Sequence, residues 1–225
     1  MGWHDFLRFL RGPLFAVALL VFAAGIGYRI FKVVALGWHR DRSPVMGHRV
    51  SGVVTSYAKG IGIWPFIPWV KDTFRGNGVT FLAGGLFHLG LFVVIFLGTA
   101  HMLVWKSLLG FGWPTLPLPI VDFLAAGAIA AMIALLVNRF THPVMRKLTG
   151  PPEITNWVFV FLPMLTGYLM THHLFFRYQV LFSLHMLAVD VMLIWIPFSR
   201  IPHFAFYFFS RTIHGSQFGR RAVTP

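Results

Sequence analysis

The sequence predicts an all-α membrane protein, a bundle of five transmembrane helices, and three observations carry that reading. Hydrophobic residues make up 57% of the 225 and charged residues only 11%, against about 25% charged in an ordinary soluble domain. Five apolar runs, at about 13–36, 80–105, 118–138, 154–174 and 177–199, each approach the roughly 20 residues that a spanning helix needs. The runs are continuous rather than alternating. Only helices and closed barrels satisfy their backbone in hydrocarbon, so continuous runs mean helices. The whole chain, 1–225, reads as a single polytopic domain.

Taken in order, the elements also suggest an orientation. The first span, 13–36, follows Arg8 and Arg11 and ends among Arg29 and Lys32. A basic loop at 37–79 carries Arg40, Arg42, Arg49, Lys59, Lys71 and Arg75. Within it "IGIWPFIPWV" (61–70) is ten residues with two prolines, too short to cross and suited to the interface. The glycine-bearing second span, 80–105, is followed by the Pro/Gly-punctuated turn "GFGWPTLPLP" (110–119). Beyond the third span, 118–138, lie Arg139, Arg146 and Lys147 and the turn "LTGPPE" (148–153). The fourth and fifth spans, 154–174 and 177–199, lead into a basic tail, 200–225, with Arg200, Arg211, Arg220 and Arg221.

Fifteen of the 19 basic residues thus fall on one side, leaving Arg8, Arg11, Lys106 and Arg177 on the other. The positive-inside rule then puts the N-terminus outside and the C-terminus in the cytoplasm of a cell's inner membrane. Arg8 and Arg11 also fit a signal-anchor with its N-terminus inside. That orientation would need a sixth crossing at 61–70, which is too short. The net charge of +13 is therefore topogenic and lipid-facing, and no nucleic-acid partner is expected.

There is no cysteine. Disulfides, thiolate metal sites, iron–sulfur ligation by this chain and covalent c-type haem are all excluded. Any redox centre must rest on histidine, methionine or carboxylate. Of 11 histidines, His4, His39, His48, His142 and His214 fall in loops or tails, whereas His88, His101, His172, His173, His185 and His203 lie in or at the ends of spans. An ionisable group at membrane depth is a functional candidate, because its burial is costly without a partner.

His185 and His203 are 18 residues apart, five turns of helix, so both rings share one stripe with a rise of roughly 27 Å, near the hydrocarbon thickness. Spans 2 and 5 run antiparallel, so as neighbours they oppose His88 with His203 and His101 with His185. Each couple has the composition of a bis-imidazole axial pair for a haem iron, a ligation that leaves no open coordination position. Two stacked haems would make an electron path across the membrane.

These residues also carry a family likeness. The segments "GGLFHLGLFVVIFLGTAH" (84–101) and "LHMLAVDVMLIWIPFSRIPH" (184–203) resemble the cytochrome b (γ) subunit of respiratory nitrate reductase. They also resemble the related membrane cytochromes of heterodisulfide-reductase-like and sulfite-reduction-associated complexes. The resemblance spans essentially the whole chain; its most specific words are L-F-H-x-G and P-F-S-R-x-x-H.

The resemblance implies two b haems, menaquinol or ubiquinol as the substrate oxidised at the outer side, and electron delivery to a cytoplasmic iron–sulfur subunit with a catalytic subunit beyond it. It assigns His88 and His203 to an inner haem and His101 and His185 to an outer one. The chain departs from that pattern in span 2. His88 and His101 are 13 residues apart, about one turn longer than the nitrate reductase type, which leaves their rings roughly 140° apart on a straight helix. A kink or π-bulge at Gly98 would correct this. His172 or His173 is the alternative outer ligand, and without His101 only one haem would be held. The basic loop 37–79 also differs from the nitrate reductase type, which leaves the terminal acceptor open.

Other residues take supporting places. Asp190, five residues past His185, reads as a quinol proton acceptor, a histidine partner or a protonated interhelical bond. Arg200 and Arg211 suit haem propionates or a cytoplasmic anchor. Lys106 and Arg177 suit a quinone oxygen or snorkelling. Gly90, two residues from His88, suits clearance for a macrocycle; small residues also let helices pack closely. The competing functions are a haem-free membrane anchor and a proton-conducting transporter subunit, though no internal repeat of the transporter kind is present.

Overall fold

A computed structural model describes residues 2–37, 43–61 and 76–223. Among these the chain is helical, with no strand. Five helices are long and apolar enough to cross a membrane: Trp3–Ala35, Gly78–Leu97, Leu118–Thr141, Pro151–Thr171 and Tyr178–Arg220. Arg40, Arg42, Lys71, Arg75, His39 and the expected interfacial segment, apart from residue 61, lie outside the described residues.

The apolar runs became helices, and their ends moved where prolines and glycines intervene. The first helix starts ten residues early, as α1 (Trp3–Phe9) joined to α2 (Phe15–Ala35) by a π turn at Leu10–Leu14. Pro13 lies in that turn; proline has no N–H to give and crowds the preceding turn, so the helix widens. After α3 (Arg49–Ile61), the expected second span is broken. It comprises α4 (Gly78–Phe92), a π segment (Val93–Leu97), extended Gly98 and α5 (Thr99–Leu109).

The next elements are α6 (Leu118–Thr141), the short α7 (Pro143–Lys147) and α8 (Pro151–Thr171). Helix α8 has prolines in its first turn, and the Glu153 carboxylate accepts from the Gly150 N–H at 2.9 Å. Helix α9 (Tyr178–Trp195) ends in a 3-10 turn at Ile196–Phe198. Most of the expected tail is helical, as α10 (His203–Arg220).

The chain divides into two compact units, Met1–Ala16 with Gly76–Met192 and Val17–Arg75 with Leu193–Pro225. In the first, α4 lies along α6 and α6 packs on α8. A Cβ at Gly90 would sit 2.5 Å from the Leu124 carbonyl oxygen and 2.7 Å from Ala128. Gly90 therefore serves helix packing against α6, and its missing side chain makes room for a helix rather than a macrocycle. At the far end of the same pair, the Asn138 amide donates to Thr80 Oγ1 at 2.9 Å and to Asn77 Oδ1 at 3.3 Å. Asn77 also caps α4 through the Thr80 N–H at 3.0 Å.

In the second unit α3 packs along α10 at backbone distance. Gly52, Ser56 and Gly60 recur every fourth residue on α3; Gly52 and Ser56 meet Gly215 and Gly219 of α10, Gly60 meets Tyr207 and Arg211, and a Cβ on Gly52, Gly215 or Gly219 would strike the opposite backbone. This is the small-residue contact that lets membrane helices approach closely. The Arg29 guanidinium closes the end of the 3-10 turn, donating to the carbonyls of Pro197 at 3.0 Å and Ser199 at 2.8 Å. It also lies over the Phe206 ring.

Gly219→Val should therefore destabilise the α3–α10 contact by about 1–3 kcal/mol, the usual cost of overpacking. The effect would be read as a lower unfolding midpoint of the detergent-solubilised protein. Gly27→Ala, a glycine with open space around it, should leave that midpoint unchanged or slightly raised.

Candidate functional site

The site begins with the interruption of the second span. Gly98 has φ −79° and ψ 131°, so the helix stops there and Thr99 starts another. A helix end leaves its last carbonyls without intrahelical donors, and at membrane depth such groups cost several kcal/mol each if unmet. Four successive carbonyls find donors from farther along the chain. A His101 ring N–H donates to Val94, Trp105 Nε1 to Ile95 at 3.0 Å, Trp113 Nε1 to Phe96, and the Leu116 N–H to Leu97 at 2.9 Å. Gly98 itself is close-packed: a Cβ there would lie 2.6 Å from the Val94 oxygen. A π segment and this break fall between His88 and His101, with Gly98 at the break.

His101 comes to rest beside His185. Their ring centres are 6.2 Å apart with planes at 74°. His185 Nδ1 lies 3.0 Å from the Pro163 carbonyl and 3.3 Å from Thr166 Oγ1, while the Thr166 hydroxyl donates to the Leu162 carbonyl at 2.7 Å. With its Nδ1–H given to Pro163, the imidazole keeps its lone pair on Nε2, the arrangement that orients a metal ligand and raises its basicity. A His101 ring N–H is likewise given to a backbone carbonyl, that of Val94. Gly167 makes room for the ring; a Cβ there would be 3.0 Å from His185 Cε1.

The ring-centre spacing equals that of two imidazoles sharing one metal. With metal–nitrogen bonds of about 2.0–2.1 Å and about 1.1 Å from nitrogen to ring centre, two opposed imidazoles have centres roughly 6.2–6.4 Å apart. Among the described residues no third His, Cys, Asp or Glu joins them. Two imidazoles suit a metal whose remaining positions are filled by a macrocycle, as in a bis-histidine haem.

The other expected residues lie as follows. His172 Nε2 is 3.3 Å from Asp122 Oδ2 and its ring lies over Tyr168, 4.4 Å between centres. His173, in a left-handed conformation, lies beside Tyr178. His172 is thus engaged by Asp122, and the histidine at His185 is His101. His88 Nδ1 is 2.7 Å from the Gly84 carbonyl of its own helix, with Phe87 and Phe92 around the ring. His203, the first residue of α10, and Arg200 in the turn before it belong to the second unit, as does Arg211, whose guanidinium lies over Tyr207.

Lys106 is exposed on the last turn of α5, five residues past His101. Asp190 is fully buried with no hydrogen bond to either oxygen among the described residues. The role of orienting His185, open to Asp190 in the sequence, belongs to Pro163 and Thr166. Asp122 escaped the sequence reading because it lies near the start of its span. Its signal was there: it and His172 fall at matching depth on adjacent antiparallel spans.

No family model matches the chain, and no solved structure matches it. A curated relative from Nitratidesulfovibrio vulgaris (strain Hildenborough) is 28% identical over 207 residues, covering 90% of this chain and 89% of that one; its recorded name is simply "Protein".

Trp113→Phe removes the donor to the Phe96 carbonyl and should cost about 1–3 kcal/mol, the penalty for a carbonyl left unmet where hydrocarbon replaces water. The measurement is the thermal midpoint in detergent. Trp3→Phe, on an exposed aromatic with no such bond, should leave it in place.

Proposed function

We propose that this chain is a b-type cytochrome subunit of a respiratory membrane complex. It holds haem b on histidine and passes electrons between membrane menaquinol or ubiquinol and a cytoplasmic iron–sulfur subunit, with terminal chemistry on a catalytic partner. The observation that carries this reading is the His101–His185 pair, at 6.2 Å between ring centres, with each ring tied to a backbone carbonyl. Bound there, haem iron would supply one-electron transfer with both axial positions filled.

The chain's own residues do the holding. Pro163 and Thr166 set the tautomer and angle of His185, Val94 sets those of His101, and Gly167 leaves the ring its space. Metal-ligating histidines depend on such outer partners for affinity. Basic-residue placement supports the N-terminus outside and the C-terminus in the cytoplasm of the inner membrane. Quinol would then be oxidised at the end of the spans that carries His101 and His185. The resemblance also implies a second b haem.

The test is a visible spectrum of the protein purified in detergent. Reduction should raise the α-band of a b haem, and His101→Ala and His185→Ala should each remove one haem per chain. His173→Ala should keep the full complement. Ring planes near perpendicular lead us to expect a highly anisotropic low-spin signal in electron paramagnetic resonance, in place of the rhombic signal of parallel rings. A colourless, correctly folded preparation from haem-replete cells would refute the proposal and return the chain to a haem-free anchor.

A further inference from the structure

The last apolar segment is longer than a crossing requires. Tyr178–Arg220 runs for 43 residues, about 64 Å as one straight rod, against a hydrocarbon core of about 30 Å. Helix α9 and its 3-10 turn, residues 178–198, already supply about 31 Å, and α10 starts afresh after Pro202. Helix α10 is therefore surplus to the crossing. Its companion α3 has 13 residues, about 20 Å, too few to cross. Both lie in segments that the sequence marks as a basic loop and tail, yet the surface they turn outward is apolar.

The small residues of α3 face α10, so Val50 and Val54, one turn apart, face away and are 76% and 62% exposed. Tyr57 is seven residues past Val50 and so on the same side of the helix. It leans onto Phe208 of α10 with ring centres 6.4 Å apart, and its hydroxyl donates to the Phe208 carbonyl at 2.9 Å. Phe208 is itself 56% exposed, and Phe204, one turn before it, is exposed as well. Two helices thus contribute to one apolar face. The charge of the unit that carries it has one sign. Its cations include Arg29, Lys32, Arg49, Lys59, Arg211 and Arg220, and among its described residues there is no Asp or Glu.

An apolar face on a cationic body specifies an anionic amphiphile, with acyl chain for the one and phosphate for the other. Because α10 follows directly on a membrane span, the amphiphile within reach is the bilayer. We propose that α3 and α10 lie side by side in the interface of an anionic leaflet. Val50, Val54, Tyr57 and Phe208 enter the upper acyl chains, and the cations meet lipid phosphates. Residues 49–61 then neither cross the membrane nor hang in water. The assignment is independent of haem binding.

The chain has no cysteine, so an introduced cysteine carries a single label. Full-length Val54→Cys is labelled with bimane and placed in nanodiscs of phosphatidylcholine, with or without phosphatidylglycerol. Leu20→Cys, 69% exposed within the first span, is the lipid-facing reference. In phosphatidylglycerol discs, quenching by doxyl lipid at position 54 should reach about half or more of that at position 20. It should fall about twofold or more in phosphatidylcholine alone, and Arg49→Gln should move the phosphatidylglycerol value toward that level. Val50→Cys carries the same test if Val54→Cys fails to assemble. Quenching by aqueous iodide as free as that of unattached dye overturns the proposal. So does equal doxyl quenching in the two lipids. So does a label that neither quencher reaches, which would mark the face as a seat for protein.

Discussion

The hydrogen bonds that close the broken helix at Gly98 are the constraint on which the site depends. A helix interrupted at membrane depth must find donors for its last carbonyls, because there is no water to supply them. Here they come from a histidine, two tryptophan indoles and a backbone N–H in the following segment. The same bonds that make the break tolerable therefore fix α5 and the loop behind it. One of them fixes the His101 ring. Holding this ring and satisfying a helix end are the same act.

The partner histidine is prepared by related means. Pro163 and Thr166 lie within α8, and their oxygens face the Nδ1 of His185 at 3.0 and 3.3 Å. Gly167, one residue on, leaves the ring the room it needs. Both imidazoles thus have one nitrogen committed to a backbone carbonyl. A side chain locked by packing and an outer hydrogen bond loses little freedom when a ligand arrives, which is how a site of two residues can hold its geometry. The second unit is built on another rule. Glycine and serine replace larger side chains along α3 and α10, and the two backbones approach until a Cβ would collide. Close packing does there what hydrophobic burial does in water.

Much of this was legible from residue patterns. The apolar runs announced their helices because a spanning helix must be continuously apolar, and no partner is needed to read that. Spacing and antiparallel order set His101 opposite His185 but left His172 and His173 open as its alternatives, and the difficulty of phase pointed to Gly98. Three features were not legible. The role of Gly90 depended on which helix lay across from it, and that helix was α6. The Asp122–His172 contact joined residues 50 positions apart. The glycines of α3 and α10 lie in segments read as a basic loop and tail, where charge drew attention away from size.

The sequence by itself determined an all-helical chain with five membrane-length apolar segments, and a set of histidines within them. Hydrocarbon admits few backbone solutions, so composition and run length suffice for that much. Tertiary structure decided which histidine lies beside which and which carbonyl holds each ring. Those outcomes turn on rotations about a helix axis and on a break of one residue. Local sequence cannot encode such angles without the helices that pack against them.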